Sequence, residues 1–325
     1  MKRREFMTLL GGAAACPLTA HAQQPAMPVV GYLSASSPAA IAHQLTALRL
    51  SLSEAGYIEG RNLAIDYRFA EGQYDRLPIM AEELVRRQAA MIIATSTTPS
   101  LVAKRATATI PIVFGSTDDP VELGLVASLA RPGGNATGVH FRLSELGAKH
   151  VGLLQEIVPA AARIGLLVNP DNANAEAVTK EVTAAASTIA AAIDVIRASD
   201  RSAIDAAFAT LVRSKADGLL VAADPFLYSR RLQLATLATR HAIPAIYPVR
   251  EFAEVGGLIS YGTSLIEVWR QIGSYAGRIL KGAKPADLPV MRSSKFELII
   301  NAQTARALGL KISDNLLTLA DEVIE

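Results

Sequence analysis

The chain has few of the residues that build disulfide-linked, metal-bound or nucleic-acid-binding proteins. One cysteine in 325 residues excludes an intrachain disulfide and any zinc site made from several cysteines. The 32 basic and 30 acidic side chains are scattered and give a net charge of +2, so no basic stripe for nucleic acid is indicated. Aromatic residues make up only 5% of the chain. A hydrophobic share of 50% is nevertheless too high for a disordered protein.

The first 22 residues are predicted to be an export signal. A Lys-Arg-Arg sequence at 2–4 precedes an apolar run over 6–15, which is too short to span a bilayer. The Ala-His-Ala sequence at 20–22 matches a cleavage site, so we expect a periplasmic protein cleaved near Ala22. The arginine pair resembles a twin-arginine signal, with the general secretory route as the alternative. Cys16 is expected to leave with the signal, with lipidation of this cysteine as the alternative.

Beyond residue 28, β-rich runs alternate with segments of helical spacing. The predicted strands are 29–34, 63–69, 90–95 and 112–114. The predicted helices are 39–55, 77–87, 101–107 and one that opens at Asp119-Pro120. Strands separated by helices indicate βαβ units with parallel sheets, so the fold class is α/β.

The second half of the chain repeats the pattern of the first. Three strand-like segments match in order at similar separations: 29–33 with 163–167, 90–94 with 217–221, and 110–114 with 243–247. One match would mean little, because buried strands resemble one another. Three in order predict two lobes of the same topology, with a crevice between them.

In open parallel sheets, ligands bind outside the carboxyl ends of the strands. Six short polar loops follow the predicted strands, at 34–37, 95–100, 115–119, 169–174, 223–228 and 247–251. Their hydroxyls, carboxylates and helix N-terminal amides suit a small zwitterion or anion. The four hydroxyl residues at 95–98 exceed what one helix cap needs, so we expect at least one to contact a ligand.

Enzyme signatures are largely missing from the sequence. It has no phosphate-binding loop, no H-E-x-x-H helix and no G-x-S-x-G elbow. Asp118 and Asp224 could act as an acid or base, but each also fits a ligand contact, and Asp224 fits a helix cap before Pro225. Trp269 has the spacing of a core residue on a helix over 265–280. We therefore expect no enzyme activity, no metal and no cofactor.

Several motifs of the chain occur together in one known family. They are EIVP at 156–159, NPDN at 169–172, ADP at 223–225, IPAIYP at 243–248, REF at 250–252, GGLISYG at 256–262, ILKGAKP at 279–285, DLP at 287–289, FELIIN at 296–301 and ADEVI at 320–324. With them the chain resembles ABC-transporter substrate-binding proteins of the periplasmic type I class. More narrowly, it resembles the branch that contains tryptophan- and tyrosine-binding proteins.

The resemblance implies two Rossmann-like lobes with parallel sheets flanked by helices, a hinge of crossing strands and a ligand cleft between them. We expect an N-terminal lobe of 28–141 plus 256–288 and a C-terminal lobe of 142–255 plus 289–325. The hinge candidates are 141–143, 254–257 and 288–294.

The resemblance also implies a solute receptor that closes on one small molecule and delivers it to an ABC permease in the inner membrane. An amino acid, often aromatic, or a related organic acid is the expected ligand, and the class is usually monomeric. A periplasmic sensor partner and an α/β enzyme using Asp118 or Asp224 are the alternatives. The positions implied to hold the ligand are Ser34, Ser36, Thr95, Ser96, Thr97, Asp118, Asn169, Asp224 and Tyr247.

Overall fold

The computed structural model describes residues 27–293 and 295–325, so the predicted export signal lies outside the described residues. The strands are β1 (Val29–Ser34), β2 (Ala64–Phe69), β3 (Met91–Thr95), β4 (Ile112–Ser116), β5 (Ala136–His140), β6 (Arg163–Val168), β7 (Ala192–Arg197), β8 (Gly218–Val221), β9 (Ala245–Tyr247), β10 (Ile259–Thr263), β11 (Met291–Arg292), β12 (Phe296–Asn301) and β13 (Glu322–Ile324).

The helices alternate with these strands along most of the chain. They are α1 (Ala42–Glu54), α2 (Leu77–Arg86), α3 (Thr97–Ala106), α4 (Gly147–Ile157), α5 (Ala175–Ser187), α6 (Arg201–Ser214), α7 (Pro225–Ser229), α8 (Arg231–Arg240), α9 (Arg250–Glu254), α10 (Leu265–Leu280), α11 (Ala302–Ala307) and α12 (Asp314–Leu319). Short 3₁₀ turns lie at Tyr74–Arg76, Leu143–Leu146 and Pro285–Asp287.

The strands of the described residues form two sheets of equivalent topology. The first has the order β2-β1-β3-β4-β5-β11, and the second has the order β7-β6-β8-β9-β10-β12-β13. Neighbours pair in parallel except β10 and β12, which are antiparallel. The three sequence matches fall on β1 and β6, β3 and β8, and β4 and β9, which hold equivalent places. The predicted α/β fold with two lobes of like topology is therefore confirmed.

Helices cover both faces of each sheet, so the central strands are apolar along their whole length. Every residue of β3 and β4 is buried, as parallel sheets between helix layers require. In the first sheet, α10 lies against α1 and against the strands beside it. One apolar cluster runs from the first sheet through Phe141 and Trp269 into the second, so the lobes share a continuous core.

The prediction that a helix begins at Asp119 is wrong. Asp119 does accept a hydrogen bond from the Val121 amide at 2.8 Å, as a cap would. The chain makes only one turn, because Gly124 adopts φ +70° and Pro132 and Gly133 follow soon after. The cap-like sequence at this point opens a single turn within the loop between β4 and β5 and does not start a helix.

Two predicted lobe boundaries are also wrong by one strand each. β10, which the prediction placed in the N-terminal lobe, pairs with β9 and β12 of the second sheet. β11, which it placed in the C-terminal lobe, pairs with β5 of the first sheet. By sheet membership, lobe one comprises 27–141 and 264–293, and lobe two comprises 142–263 and 295–325.

Within the residues that the structure describes, the chain therefore crosses between the lobes three times, near 141–143, 263–265 and 292–296. The first predicted hinge coincides with the first crossing, and the predicted segment 288–294 overlaps the third. The predicted hinge at 254–257 is instead a turn inside lobe two, where Gly256 has φ +98°. Its glycines serve that turn and the start of β10. No helix within 27–293 and 295–325 is both long and apolar enough to cross a lipid bilayer.

Candidate ligand-binding cleft

A cavity lies between the lobes, at the carboxyl ends of the strands. In the first sheet the strand order reverses between β1 and β3, and the loops after these two strands diverge there. The empty space between its walls is about 630 Å³, and this figure includes open solvent at its mouth. Each of the six predicted strand-end loops supplies at least one residue to its wall.

Part of the cleft wall is polar. It is lined by Ser34, Ser36, Thr95, Ser96 and Thr117 of lobe one, and by Asn172 and Asp224 of lobe two. The hydroxyl oxygens of Ser36 and Ser96 are buried and have no hydrogen-bond partner among the described residues. A buried polar atom without a partner is costly, so these two hydroxyls are suited to a ligand atom.

The Thr95 hydroxyl belongs to a fixed chain of polar groups behind the wall. The indole Nε1 of Trp269 donates to the Tyr32 hydroxyl at 3.1 Å, and Tyr32 lies 3.3 Å from the Thr95 hydroxyl. Burial raises the pKa of Tyr32 to about 12, so this phenol stays neutral. The chain holds Thr95 and Trp269 in place on the same side of the cleft.

The backbone at Ser96 is strained. Its φ of +77° with ψ of 167° lies in a region that is essentially restricted to glycine. The residue directly precedes α3, so this conformation turns the hydroxyl loop into the cleft at the helix N-terminus. Such strain persists where the surroundings impose it, and it is commonest at functional positions.

Two variants of Ser96 separate strain from hydroxyl chemistry. Ser96→Gly should stabilise the folded protein by about 1 kcal/mol relative to Ser96→Ala, because glycine adopts this conformation freely. Both variants lose the hydroxyl and should bind ligand more weakly than the wild type. Thermal unfolding of the two variants without ligand checks the first statement. Equal midpoints would show that the backbone at this position is not strained.

The rest of the wall is apolar and partly aromatic. It includes Ile41, Phe141, Leu143, Tyr228, Val249, Phe252, Leu265 and Trp269. Phe141 and Trp269 have ring centroids 6.4 Å apart on one side. Phe252 stands edge-on to Tyr228 in lobe two, at 6.2 Å. An apolar ligand body can lie between these two aromatic pairs.

Sequence reasoning missed most of this apolar wall. Trp269 was assigned to the core, and it does belong to the core cluster, but it also borders the cleft. Phe141 and Leu143 were named only as hinge residues, and Phe252 only as part of a motif. The signal that could have found them is their position, since 141–143 directly follows a strand end and Phe252 directly follows the last predicted loop.

Asp224 organises the side of the cleft that belongs to lobe two. Its carboxylate accepts from the Tyr74 hydroxyl at 2.5 Å, the Asn172 amide at 2.9 Å and the Leu227 backbone N–H at 2.8 Å. The Asn169 side chain adds a longer contact of 3.3 Å. A carboxylate offers about four lone-pair positions, so protein donors occupy nearly all of them. Burial raises the pKa of Asp224, while these hydrogen bonds oppose the rise.

Of the predicted ligand residues, the structure brings Ser34, Ser36, Thr95, Ser96 and Asp224 to the cleft wall. It places the other four elsewhere: Thr97, Asp118, Asn169 and Tyr247.

Three of the four residues away from the wall have hydrogen-bond partners, whereas the buried Tyr247 hydroxyl has none among the described residues. Thr97 donates to Asp118 at 2.5 Å, and Asp118 borders a separate acidic groove. Asn169 lies behind Asp224. The Tyr247 ring is fully buried and stacks on Phe252 at 4.7 Å, which holds it outside the cleft.

Hydrogen bonds join the two lobes around the cleft. The Gln44 amide of lobe one donates to the Tyr228 hydroxyl at 2.6 Å and to Glu251 at 3.2 Å, both in lobe two. Burial raises the pKa of Glu251 to about 6. On the other side the Thr98 hydroxyl accepts from the Ala173 N–H at 3.1 Å. The lobes are therefore in contact on both flanks of the cavity.

Two lobes of like topology, three crossing segments and an enclosed cleft define a two-lobed solute-binding protein. A family profile described as "ABC transporter substrate binding protein" matches residues 35–324. The chain therefore belongs to the family of ABC transporter substrate-binding proteins.

Relatives and solved structures agree with this assignment. A curated "Tyrosine-binding protein" from Clostridioides difficile is 30% identical over 261 residues, which is 80% of this chain and 75% of that protein. An ABC domain in complex with L-Trp from Streptococcus pneumonia matches with a TM-score of 0.80 and 26% identity, covering 91% of this chain and 100% of that one.

A third similar structure is the ligand-free, open form of a substrate-binding protein with adhesive properties from Clostridium difficile. It has a TM-score of 0.63 and 26% identity, and the match covers 91% of this chain and 99% of that one. More distant solved structures at 12% identity include a periplasmic binding protein. At this identity the likeness shows only that the fold is the same.

Proposed function

We propose that this protein binds one amino acid, preferably an aromatic one, by closure of its two lobes. The observation that carries the proposal is the interlobe cleft, whose wall combines aromatic side chains with buried, unpartnered hydroxyls. The Tyr-binding relative and the L-Trp complex support an aromatic amino acid.

The charges of the lining favour a zwitterion over the related organic acid that the sequence left open. Asp224 is the charged residue of the described lining, and no Lys or Arg borders the cleft. A dicarboxylate would enter with uncompensated negative charge, which is costly to bury. One carboxylate can be held by hydroxyls and by the amides at the start of α3, whose dipole favours an anion.

The arrangement of the lobes supports closure as the binding mechanism. The structure matches the L-Trp complex with a TM-score of 0.80 and the ligand-free, open relative with 0.63, at the same 26% identity and the same coverage of this chain. Equal identity makes sequence divergence a poor explanation for this difference. A ligand that touches both lobes stabilises the closed state by its greater affinity for that state.

The hydrogen bonds and positions of the candidate acids and bases favour binding over catalysis. The Asp224 carboxylate is occupied by protein donors, and Asp118 accepts from the hydroxyls of Thr97 and Thr117. The Asp224 carboxylate therefore has little capacity left for a substrate proton, and Asp118 does not border the cleft. In this proposal the export signal directs the chain to the periplasm, where the closed form delivers its solute to a membrane permease.

The chain contains a single tryptophan, and Trp269 borders the cleft. Titration with L-tyrosine should therefore change its fluorescence saturably, and small-angle scattering should show a more compact protein at saturation. Calorimetry with L-tryptophan should give one site per chain, and succinate should give none. If none of the twenty L-amino acids at millimolar concentration produces heat, emission change or compaction, the proposal is refuted.

A further inference from the structure

Lobe one reaches across the cleft with a tyrosine that the ligand site itself does not include. Tyr74 lies in the 3₁₀ turn Tyr74–Arg76, and its hydroxyl donates to Asp224 of lobe two at 2.5 Å. Both side chains are buried, with 8% of Tyr74 and 7% of Asp224 exposed. Tyr74 does not border the cavity, so it acts beside the ligand site and not within it.

The loop that carries Tyr74 is tied to the loop that faces the ligand. Three backbone hydrogen bonds join them: Ala70 N–H to Ser34 C=O at 2.9 Å, Glu71 N–H to Ser36 C=O at 3.3 Å, and Gly72 N–H to Ala35 C=O at 2.7 Å. Segment 34–36 provides two of the cleft hydroxyls. A ligand that fixes segment 34–36 therefore also fixes segment 70–74.

The other side of this loop meets lobe two closely. Gly72 has φ +86°, and a Cβ on it would lie 3.1 Å from Cδ2 of Phe226. Phe226 belongs to α7, the helix that Asp224 caps. The loop thus docks on the start of α7, and the Tyr74 hydroxyl meets the capping carboxylate at that surface.

Tyr74 is the donor to Asp224 that comes from the opposite lobe. The remaining donors in the described chain, Asn169, Asn172 and Leu227, all belong to lobe two. They stay with Asp224 whether or not the lobes are together. The Tyr74 bond can form only when lobe one is closed on lobe two, so its whole free energy favours the closed state.

We propose that Tyr74 is a positioning residue that couples occupancy of segment 34–36 to lobe closure through its hydrogen bond to Asp224. This inference rests on the proposed function, because it assumes that a ligand occupies the cleft.

The test is Tyr74→Phe, which removes the hydroxyl and keeps the ring. L-Tyrosine and L-tryptophan are the probes, and dissociation constants and rates are measured by calorimetry and stopped-flow fluorescence. We expect affinity to fall about tenfold or more, as for loss of a hydrogen bond to a charged group. The loss should lie in faster dissociation, because closure traps the ligand after it has bound.

A purely structural role for Tyr74 predicts a different result. The Tyr74–Asp224 hydrogen bond is absent from the open conformation, which predominates without ligand, so the ligand-free unfolding midpoint of Tyr74→Phe should be close to that of the wild type. Tyr57→Phe is the matched control: it lies in the same lobe, and its hydroxyl makes no hydrogen bond within the described residues. This control should change neither measurement. A lower ligand-free midpoint with unchanged dissociation would overturn the coupling role.

The outcomes separate this inference from the proposed function. If the wild type binds a probe and Tyr74→Phe binds it with the same rates, only the coupling is refuted. If the wild type binds neither probe, the aromatic proposal fails, and the coupling is tested without ligand. For that test, spin labels at E82C in lobe one and A206C in lobe two, with Cys16 replaced by serine, report the distance between the lobes. The share of short interlobe distances should then be smaller in Tyr74→Phe, and equal distributions would refute it.

Discussion

Replacing Asp224 with alanine is expected to weaken amino acid binding about a hundredfold or more. The variant removes the acceptor shared by Tyr74, Asn172 and the Leu227 N–H, and it leaves these donors buried without a partner. Each buried donor left unpaired costs about 1–3 kcal/mol. Loss of the α7 cap should lower the free energy of unfolding by about 0.5–2 kcal/mol. Calorimetry and thermal unfolding measure the two effects.

Asp200→Ala provides a control that loses a cap of the same kind. Asp200 caps α6 by accepting from the Ala203 N–H at 2.8 Å, and it is not part of the cleft wall. This variant should lose stability and keep its ligand affinity. If Asp224→Ala were folded and bound ligand as well as Asp200→Ala, Asp224 would have no place in the binding site.

Gly262→Ala should prevent lobe two from folding correctly. A Cβ at Gly262 would lie 1.8 Å from the Pro248 carbonyl oxygen and 3.0 Å from Cδ2 of Leu143. The first atom belongs to the backbone and cannot move away as a side chain would. Because Pro248 and Leu143 both border the cleft, any adjustment also deforms the ligand site. We expect little soluble protein, and no binding by the fraction that is recovered.

Gly152→Ala is the contrasting control for that experiment. Gly152 lies within α4, and a Cβ there would meet no atom within 4 Å. Alanine should therefore raise the free energy of unfolding by about 0.5–1 kcal/mol through its better helix propensity. Circular dichroism during thermal unfolding compares the two variants. A folded Gly262→Ala protein with wild-type stability would contradict the close approach.

The fold was predictable because buried parallel strands leave a strong sequence pattern. The run at 29–34 coincides with β1, and the helical spacing at 265–280 coincides with α10. Matching strand patterns in the two halves predicted the equivalent sheets. The capping signal at Asp119 gave a wrong prediction, because a cap sequence does not determine how many turns follow. At Gly124, whose φ is +70°, the chain leaves the helical conformation after a single turn.

The position of the ligand cleft was predictable, but its composition was not. Strand ends can be located from sequence, so all six loops that line the cavity were expected. Which side chains reach the cavity depends on packing between distant segments. Tyr247 follows the same pattern as the residues of the wall, yet its ring turns to stack on Phe252. The partnership of Tyr74 with Asp224 joins residues 150 positions apart and leaves no local signal.

The three crossings have a consequence for the order in which the protein can be assembled on the ribosome. Lobe one needs α10 to cover α1 and β11 to complete its sheet, and these come from the last quarter of the sequence. In a nascent chain that ends before residue 265, the apolar face of α1 remains exposed to solvent because α10 has not yet been synthesised. The amino-terminal half cannot mature as an early, independent unit, and its folding must wait until almost the whole polypeptide has been synthesised.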